Sequence, residues 1–111
     1  MRSTFIDPGA LRQELLLQAA SLTPDGLGGH DTEWTEVATV FGLIEPVAQK
    51  ANFGAGQTLE ENTHRITIRH RVDAASGMRL IKQGRVFDIA SVHDPDESGR
   101  YLICLVREVG L

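Results

Sequence analysis

The stretch Thr63-His64-Arg65-Ile66-Thr67-Ile68-Arg69-His70-Arg71 alternates between two kinds of side chain with a period of two. Its two isoleucines, flanked by two histidines, fall on one face. Its three arginines and two threonines occupy the opposite face. This alternation, with β-branched residues at the centre, predicts a half-buried β-strand.

Shorter apolar runs on both sides of this strand extend the same pattern. Leu11–Ala20 is compatible with a helix or a strand, and we predict a strand because the later strands need a first partner. Trp34–Val47 is apolar on both faces, which is typical of a strand buried on both sides or lying at a subunit contact. Ser21–Glu33, rich in glycine and aspartate, is predicted to be the turn-rich connection between them.

Three further strands are predicted after the arginine-rich one. A single glycine, Gly84, separates two of them and indicates a tight hairpin. The three runs are Met78–Lys82, Arg85–Val92 and Tyr101–Glu108. Six short strands predict an all-β fold, either a small six-stranded β-barrel or a sandwich.

One long polar loop, Gln49–Asn62, interrupts this pattern between the second and third strands. Connections of this length are uncommon in a small domain and are usually functional or mobile. Gly54 and Gly56 leave the centre of the loop with little to restrict its backbone. A third glycine and a following helix are missing, so the pattern does not predict a dinucleotide site.

Composition restricts the class of protein further. The 111 residues predict a single domain, and the net charge of −4 argues against broad binding of nucleic-acid phosphates. The lone Cys104 lies in an apolar run and predicts a buried thiol in a reducing compartment. No apolar run reaches the length of a membrane span, and the first residues lack the apolar stretch of a secretory signal.

Residues that could carry chemistry are scattered. His64 and His70 share a strand face but lie roughly 20 Å apart along an extended strand, too far to bind one ion. An apolar setting raises the pKa of a thiol, which disfavours Cys104 as a nucleophile. We therefore predict no enzyme activity, no metal site and no cofactor.

The basic residues are concentrated between Arg65 and Arg85. A solvated barrel face and a face that meets acidic groups of a neighbouring subunit explain this concentration equally well. Nucleic-acid binding ranks third, because no aromatic residues are interleaved with the charges.

The chain resembles the phage head–tail joining proteins over nearly its whole length. The resemblance is a loose strand pattern that includes the arginine-rich stretch above. It departs from the family at Phe41-Gly42, where Trp-Ala is common, and at Glu14, where a basic residue is commoner. The other matching segments are 8–18, 40–46, 78–80, 84–94 and 101–108.

This resemblance implies a stopper or adaptor in the head–tail connector of a tailed phage, a prophage or a phage-derived gene transfer particle. Such a protein forms a ring between an adaptor protein on the head side and a tail terminator protein on the tail side. Double-stranded DNA passes through its lumen without sequence-specific binding, and the particle assembles in the bacterial cytoplasm. In the stopper branch the long loop, here residues 49–62, projects into the channel.

From this resemblance and the residue pattern we predict a homo-hexameric ring with two functional regions. Residues 1–8 form an N-terminal arm, and residues 49–62 face the channel. The channel loop consists of Ala51, Asn52, Phe53, Gly54, Ala55, Gly56 and Gln57, and the subunit contacts are Phe5, Ile6, Arg65, Arg69 and Arg71. The alternatives are a tail terminator or another connector ring without gating, or a small β-barrel that binds a peptide or ligand.

Overall fold

A computed structural model describes residues 6–47 and 62–109 of the chain. The strands are β1 (Gln13–Pro24), β2 (His30–Pro46), β3 (His64–Arg69), β4 (Arg79–Lys82), β5 (Arg85–His93) and β6 (Tyr101–Val109), preceded by a short 3-10 helix, Pro8–Ala10. All strand pairs are antiparallel and close into a barrel in the order β1-β2-β3-β6-β5-β4. The predicted all-β fold, with its long connection between the second and third strands, is confirmed.

The barrel interior is filled by alternate residues of its strands. Leu15 and Leu17 of β1, both without exposed surface, show the period of two that distinguishes a strand from a helix. Ile66 and Ile68 of β3 point into the same core, as predicted. Phe87 is the largest fully buried side chain among the described residues. The ring of His64 lies edge-on against it, with ring centroids 5.3 Å apart.

The outward face of β3 is less solvated than the alternation predicts. Thr67 is only 4% exposed although it belongs to the face that carries the arginines. Its cross-strand partners are Leu43 on β2 and Ile103 on β6, and both are half-buried. The centre of the outer surface is therefore covered by neighbouring side chains, and only the arginines at either side of Thr67 are exposed.

The hairpin between β4 and β5 forms where Gly84 predicts it. Lys82 pairs with Arg85, which leaves a two-residue turn of Gln83 (φ 48°) and Gly84 (φ 82°). Positive φ at both central positions is the feature of the turn type that matches the twist of a hairpin. This turn allows the chain to reverse directly from the four-residue β4 into β5.

The strands β1 and β2 extend beyond the barrel as a two-stranded ribbon. Pairing of β1 with β4 ends at Gln18, and pairing of β2 with β3 ends at Gly42. Beyond Gln18, β1 and β2 pair only with each other as far as Pro24 and His30. We call residues 19–36 the β1–β2 ribbon.

This ribbon corrects the prediction of a long turn-rich connection over Ser21–Glu33. Most of that segment pairs across the ribbon, and only residues 25–29 form the turn. Asp25 Oδ1 accepts hydrogen bonds from the backbone nitrogens of Leu27 (2.8 Å) and Gly29 (3.0 Å), which closes the turn locally. Within residues 6–47 and 62–109, no helix is long and apolar enough to cross a membrane.

Candidate assembly interface

The two ends of the long loop are joined by hydrogen bonds at one end of the barrel. Val47 N donates to Thr63 O (3.0 Å), and Thr63 N donates to Val106 O on β6 (2.9 Å). The Thr63 hydroxyl accepts a third bond from Glu108 N (2.7 Å). The loop therefore begins and ends on a base that is part of the sheet, while the predicted channel residues 51–57 lie outside the described residues.

The three arginines predicted to contact a neighbouring subunit differ in their surroundings. Arg65 lies 3.3 Å from Glu45 on the adjacent strand, and both side chains are well exposed. Arg71 donates two hydrogen bonds to Asp73, of 2.9 and 3.0 Å. Arg69 is exposed and makes no ion pair with any residue in 6–47 or 62–109.

The ion pair at Arg71 affects both of its members. The side-chain hydrogen bond with Arg71 lowers the pKa of Asp73, and the same bond raises the pKa of Arg71. Because both groups are well exposed, solvent screening leaves this pair with little effect on stability. Arg71 keeps its charge and remains accessible at the barrel surface.

A cavity of about 480 Å³ lies at the end of β3, beside Arg69. One wall is apolar, and the other is formed by the basic residues at the end of β3 and just after it. The lining residues are Pro8, Leu11, Thr39, Val40, Phe41, Arg69, His70 and Arg71. We call this cavity the arginine pocket.

The apolar wall of the arginine pocket was only partly indicated by the sequence. Phe41 is 52% exposed, although it lies in a strand that also supplies the buried Val40. The sequence predicted a β2 strand that is either buried on both sides or lies at a subunit contact. The exposure of Phe41 argues against burial on both sides, and the subunit contact remains a prediction. Pro8 and Leu11 had no such signal, because their position beside β2 depends on how the chain before β1 folds over the barrel end.

The N-terminal arm is described only in part. Ile6 is half-buried, and Phe5 lies outside the described residues. Asp7 caps the short 3-10 helix by accepting a hydrogen bond from Gly9 N (2.9 Å). The arm thus joins the barrel next to the arginine pocket, because Pro8 lines that pocket.

Trp34 and Arg79 form a contact that the sequence analysis missed. The Arg79 guanidinium carbon lies 4.0 Å from the centroid of a Trp34 ring, and its Nε donates to Gln18 Oε1 (2.7 Å). These three residues belong to β2, β4 and β1 and meet where the ribbon leaves the barrel. No local signal could reveal the contact, because Gln18 and Arg79 are paired only through barrel closure.

Metal-ligating side chains are scattered over the described parts of the chain. Among residues 6–47 and 62–109, no group of three or more His, Cys, Asp or Glu side chains could hold a metal ion. Burial raises the pKa of the Cys104 thiol to about 12. Asp96, 8% exposed, accepts bonds from Ser98 and pairs with Arg100, which organises the β5–β6 turn.

The described residues thus form a small closed barrel with a projecting ribbon and an exposed arginine pocket. The family model described as phage head completion protein matches residues 6–109. The chain belongs to this family.

Solved structures agree with the family assignment. A chain from the virion of a native gene transfer agent particle superposes with a TM-score of 0.66 at 26% identity, covering 89% of this chain and 96% of that one. The solution structure of protein SF1141 from Shigella flexneri 2a gives a TM-score of 0.69 at 29% identity, covering 93% and 96%. No curated protein sequence matches. Together these similarities support a structural role in a phage-like particle.

Proposed function

We propose that this chain is a stopper subunit of a head–tail connector. In this proposal six copies form a ring that joins a DNA-filled head to its tail, and the long loop closes the DNA channel. The adaptor protein docks on the head side of the ring and the tail terminator protein on the tail side. The role is structural rather than enzymatic, and the ring is built in the bacterial cytoplasm during particle assembly.

The observation that best supports a gating loop is its hydrogen-bonded base. The bonds among Val47, Thr63 and Val106 hold both ends of residues 48–62 to the barrel. A segment with fixed ends and two central glycines, Gly54 and Gly56, can change its arrangement without disturbing the sheet. Such a segment is suited to closing a channel and reopening it when DNA is ejected.

Charge also agrees with a DNA conduit. A protein that lets DNA pass must not hold its phosphates, and this chain carries a net charge of −4. Arg65 and Arg71 are already paired with acidic residues of the same chain. In the proposed ring the arginine face of β3 and the Phe5-Ile6 arm lie between subunits, so the lumen is not lined by them.

The gating proposal predicts the effect of removing the channel loop. Deleting residues 51–57 should leave the barrel folded, because both ends of the loop remain tied at Val47 and Thr63. Particles assembled with this variant should join tails but lose packaged DNA, measured as DNA accessible to nuclease. A control variant replaces the same seven residues with an equal length of serine and glycine, which separates the length of the loop from its side chains.

Two results of this experiment would change the assignment. If particles with the deletion retain their DNA and join tails normally, the loop is not the channel closure. A particle reconstruction that places the chain directly on the tail tube would make it a terminator ring instead.

A further inference from the structure

Lysines and arginines are unevenly distributed along this chain. Residues 13–49 contain six acidic residues and no lysine or arginine: Glu14, Asp25, Asp31, Glu33, Glu36 and Glu45. Residues 62–109 carry eight lysines and arginines (Arg65, Arg69, Arg71, Arg79, Lys82, Arg85, Arg100 and Arg107) and six acidic residues (Asp73, Asp88, Asp94, Asp96, Glu97 and Glu108). The β1–β2 ribbon therefore carries acidic residues without any lysine or arginine, whereas the strands that follow carry both signs of charge.

The β1–β2 ribbon also exposes apolar side chains that a solvated hairpin does not need. Leu27 at the turn is 91% exposed, and Leu22 is 66% exposed. Asp31 and Glu33 lie two residues apart on β2 and therefore share one face of the ribbon. The end of the ribbon thus combines an apolar tip with a pair of carboxylates.

The arginine pocket presents the complementary combination. Its apolar wall is formed by Leu11, Val40 and Phe41, and its basic rim carries Arg69 and Arg71. Arg69 has no ion pair within the described parts of the chain, so its charge is available to a ligand. An apolar side chain next to a carboxylate would satisfy both halves of this pocket.

The ribbon cannot reach the pocket of its own subunit. The pocket is lined by Thr39, Val40 and Phe41, which lie near the base of the same ribbon. From Thr39 to the turn of the ribbon, the chain runs through roughly ten residues of extended strand, a distance of about 30 Å. Arg79 holds the base of the ribbon to β4, so the tip points away from the barrel that carries the pocket.

We propose that the tip of the β1–β2 ribbon of one subunit docks into the arginine pocket of the next. Leu27 enters the apolar wall, and Asp31 and Glu33 meet Arg69 and the rim at Arg71. This contact joins two different patches, so repeating it around an axis produces a ring and repeating it without closure produces a chain. The inference rests on the proposed ring and specifies the partner surfaces within it.

Cross-linking of two variants, each with one added cysteine, tests this docking directly. Leu27→Cys places a thiol on the exposed tip, and His70→Cys places one on the exposed rim of the pocket, while Cys104 is buried and does not compete. Mixing the two purified full-length variants with a short bis-maleimide should give a cross-linked pair. Leu27→Cys alone should give none, and a tip-to-tip product from that variant would overturn the proposal. Absence of the mixed product at the highest soluble concentration would overturn it as well.

Charge reversal provides a second test that depends on the heterologous geometry. Arg69→Glu and the double variant Asp31→Arg, Glu33→Arg should each weaken self-association about tenfold or more, measured by sedimentation at low salt. Mixing the two should restore self-association, because the intact ribbon of one variant meets the intact pocket of the other, and the reversed ribbon and reversed pocket also carry opposite charges. Arg107→Glu, on the exposed surface of β6, is the matched control. Equal weakening by Arg107→Glu and Arg69→Glu would contradict the proposed contact.

The same samples separate failure of this contact from failure of the proposed ring. If the wild-type protein forms closed rings but the Leu27→Cys and His70→Cys variants give no cross-link, the connector ring stands and the docking is refuted. Cross-linked, open-ended chains without closed rings would support the docking and refute the ring.

Discussion

At the scale of single residues, the arginines in and after β3 differ in whether an acidic neighbour pairs with them. Arg65 and Arg71 are neutralised by Glu45 and Asp73, whereas Arg69, on the same strand as Arg65, has no such partner among the described residues. Exposed ion pairs of this kind contribute only about 0–1 kcal/mol to stability. In the proposed contact, Arg69 therefore brings a charge that is unpaired within the described parts of the chain, whereas Arg71 reaches the same rim while it is paired with Asp73.

Cys104 is the residue whose ionisation should be visible in the pH dependence of stability. Its thiol has no exposed surface, and burial raises its pKa from 9.0 to about 12. The thiol of the unfolded chain therefore ionises first, so its contribution to stability is intact below pH 9 and is lost as the pH rises from 9 toward 12. Compared with Cys104→Ala, the wild type should lose about 1.4 kcal/mol of unfolding free energy between pH 8 and pH 10.

Urea unfolding of both proteins at pH 8, 9 and 10 measures this difference. Other groups that titrate in this range are present in both proteins and cancel in the comparison. Parallel pH profiles would show that the thiol is not desolvated in the folded protein.

At the scale of elements, the β1–β2 ribbon needs support from the barrel. A two-stranded hairpin is marginally stable by itself in water. Arg79 supplies the support by covering the Trp34 ring and bonding Gln18, which connects β4 to both strands of the ribbon. This contact keeps the ribbon extended and presents its acidic tip at a distance from the barrel.

Replacing Arg79 should therefore loosen the ribbon without unfolding the barrel. We expect Arg79→Ala to destabilise the ribbon locally by about 1–2 kcal/mol, since it removes a cation–π contact and a charge-assisted hydrogen bond. Hydrogen exchange followed by mass spectrometry should show faster exchange in residues 19–24 and 30–36 and unchanged exchange in β6. Arg107→Ala provides the control, and similar exchange in the two variants would show that Arg79 does not hold the ribbon.

At the scale of the whole molecule, a short seam completes the barrel. Only three residue pairs join β1 to β4: Leu16 with Ile81, Leu17 with Leu80, and Gln18 with Arg79. Leu80 is nevertheless fully buried and belongs to the same core as Ile66 on the opposite side. The core is therefore one cooperative unit in spite of its short closing strand.

This cooperativity predicts that truncation at the seam is as costly as truncation elsewhere in the core. Leu80→Ala and Ile66→Ala should each lower the free energy of unfolding by about 2–5 kcal/mol. Leu22→Ala, in the exposed part of the ribbon, should change it by less than about 0.5 kcal/mol. Chemical unfolding of the three variants is the measurement, and a small effect of Leu80→Ala would mean that the seam opens independently of the core.

Local sequence patterns predicted six strands, the hairpin at Gly84, the buried face of β3 and the position of the long loop, but not the full lengths of β1 and β2. These features follow from neighbouring residues, because alternation and turn preferences act over a few positions. The sequence also identified Arg69 and Arg71 as part of a contact surface, and that assignment remains a prediction. The predicted channel residues 51–57 lie outside the described residues, so their role likewise remains a prediction.

Contacts between strands that are distant in sequence determine which arginines are paired, where the ribbon leaves the barrel and how the arginine pocket is formed. Arg65 meets Glu45, and Arg79 meets Gln18 and Trp34, across strands that are far apart in the chain. The register between such strands depends on closing the whole barrel around one core, and a local pattern contains no information about it. For the same reason Leu11 and Phe41 become neighbours of Arg69 only in the folded protein.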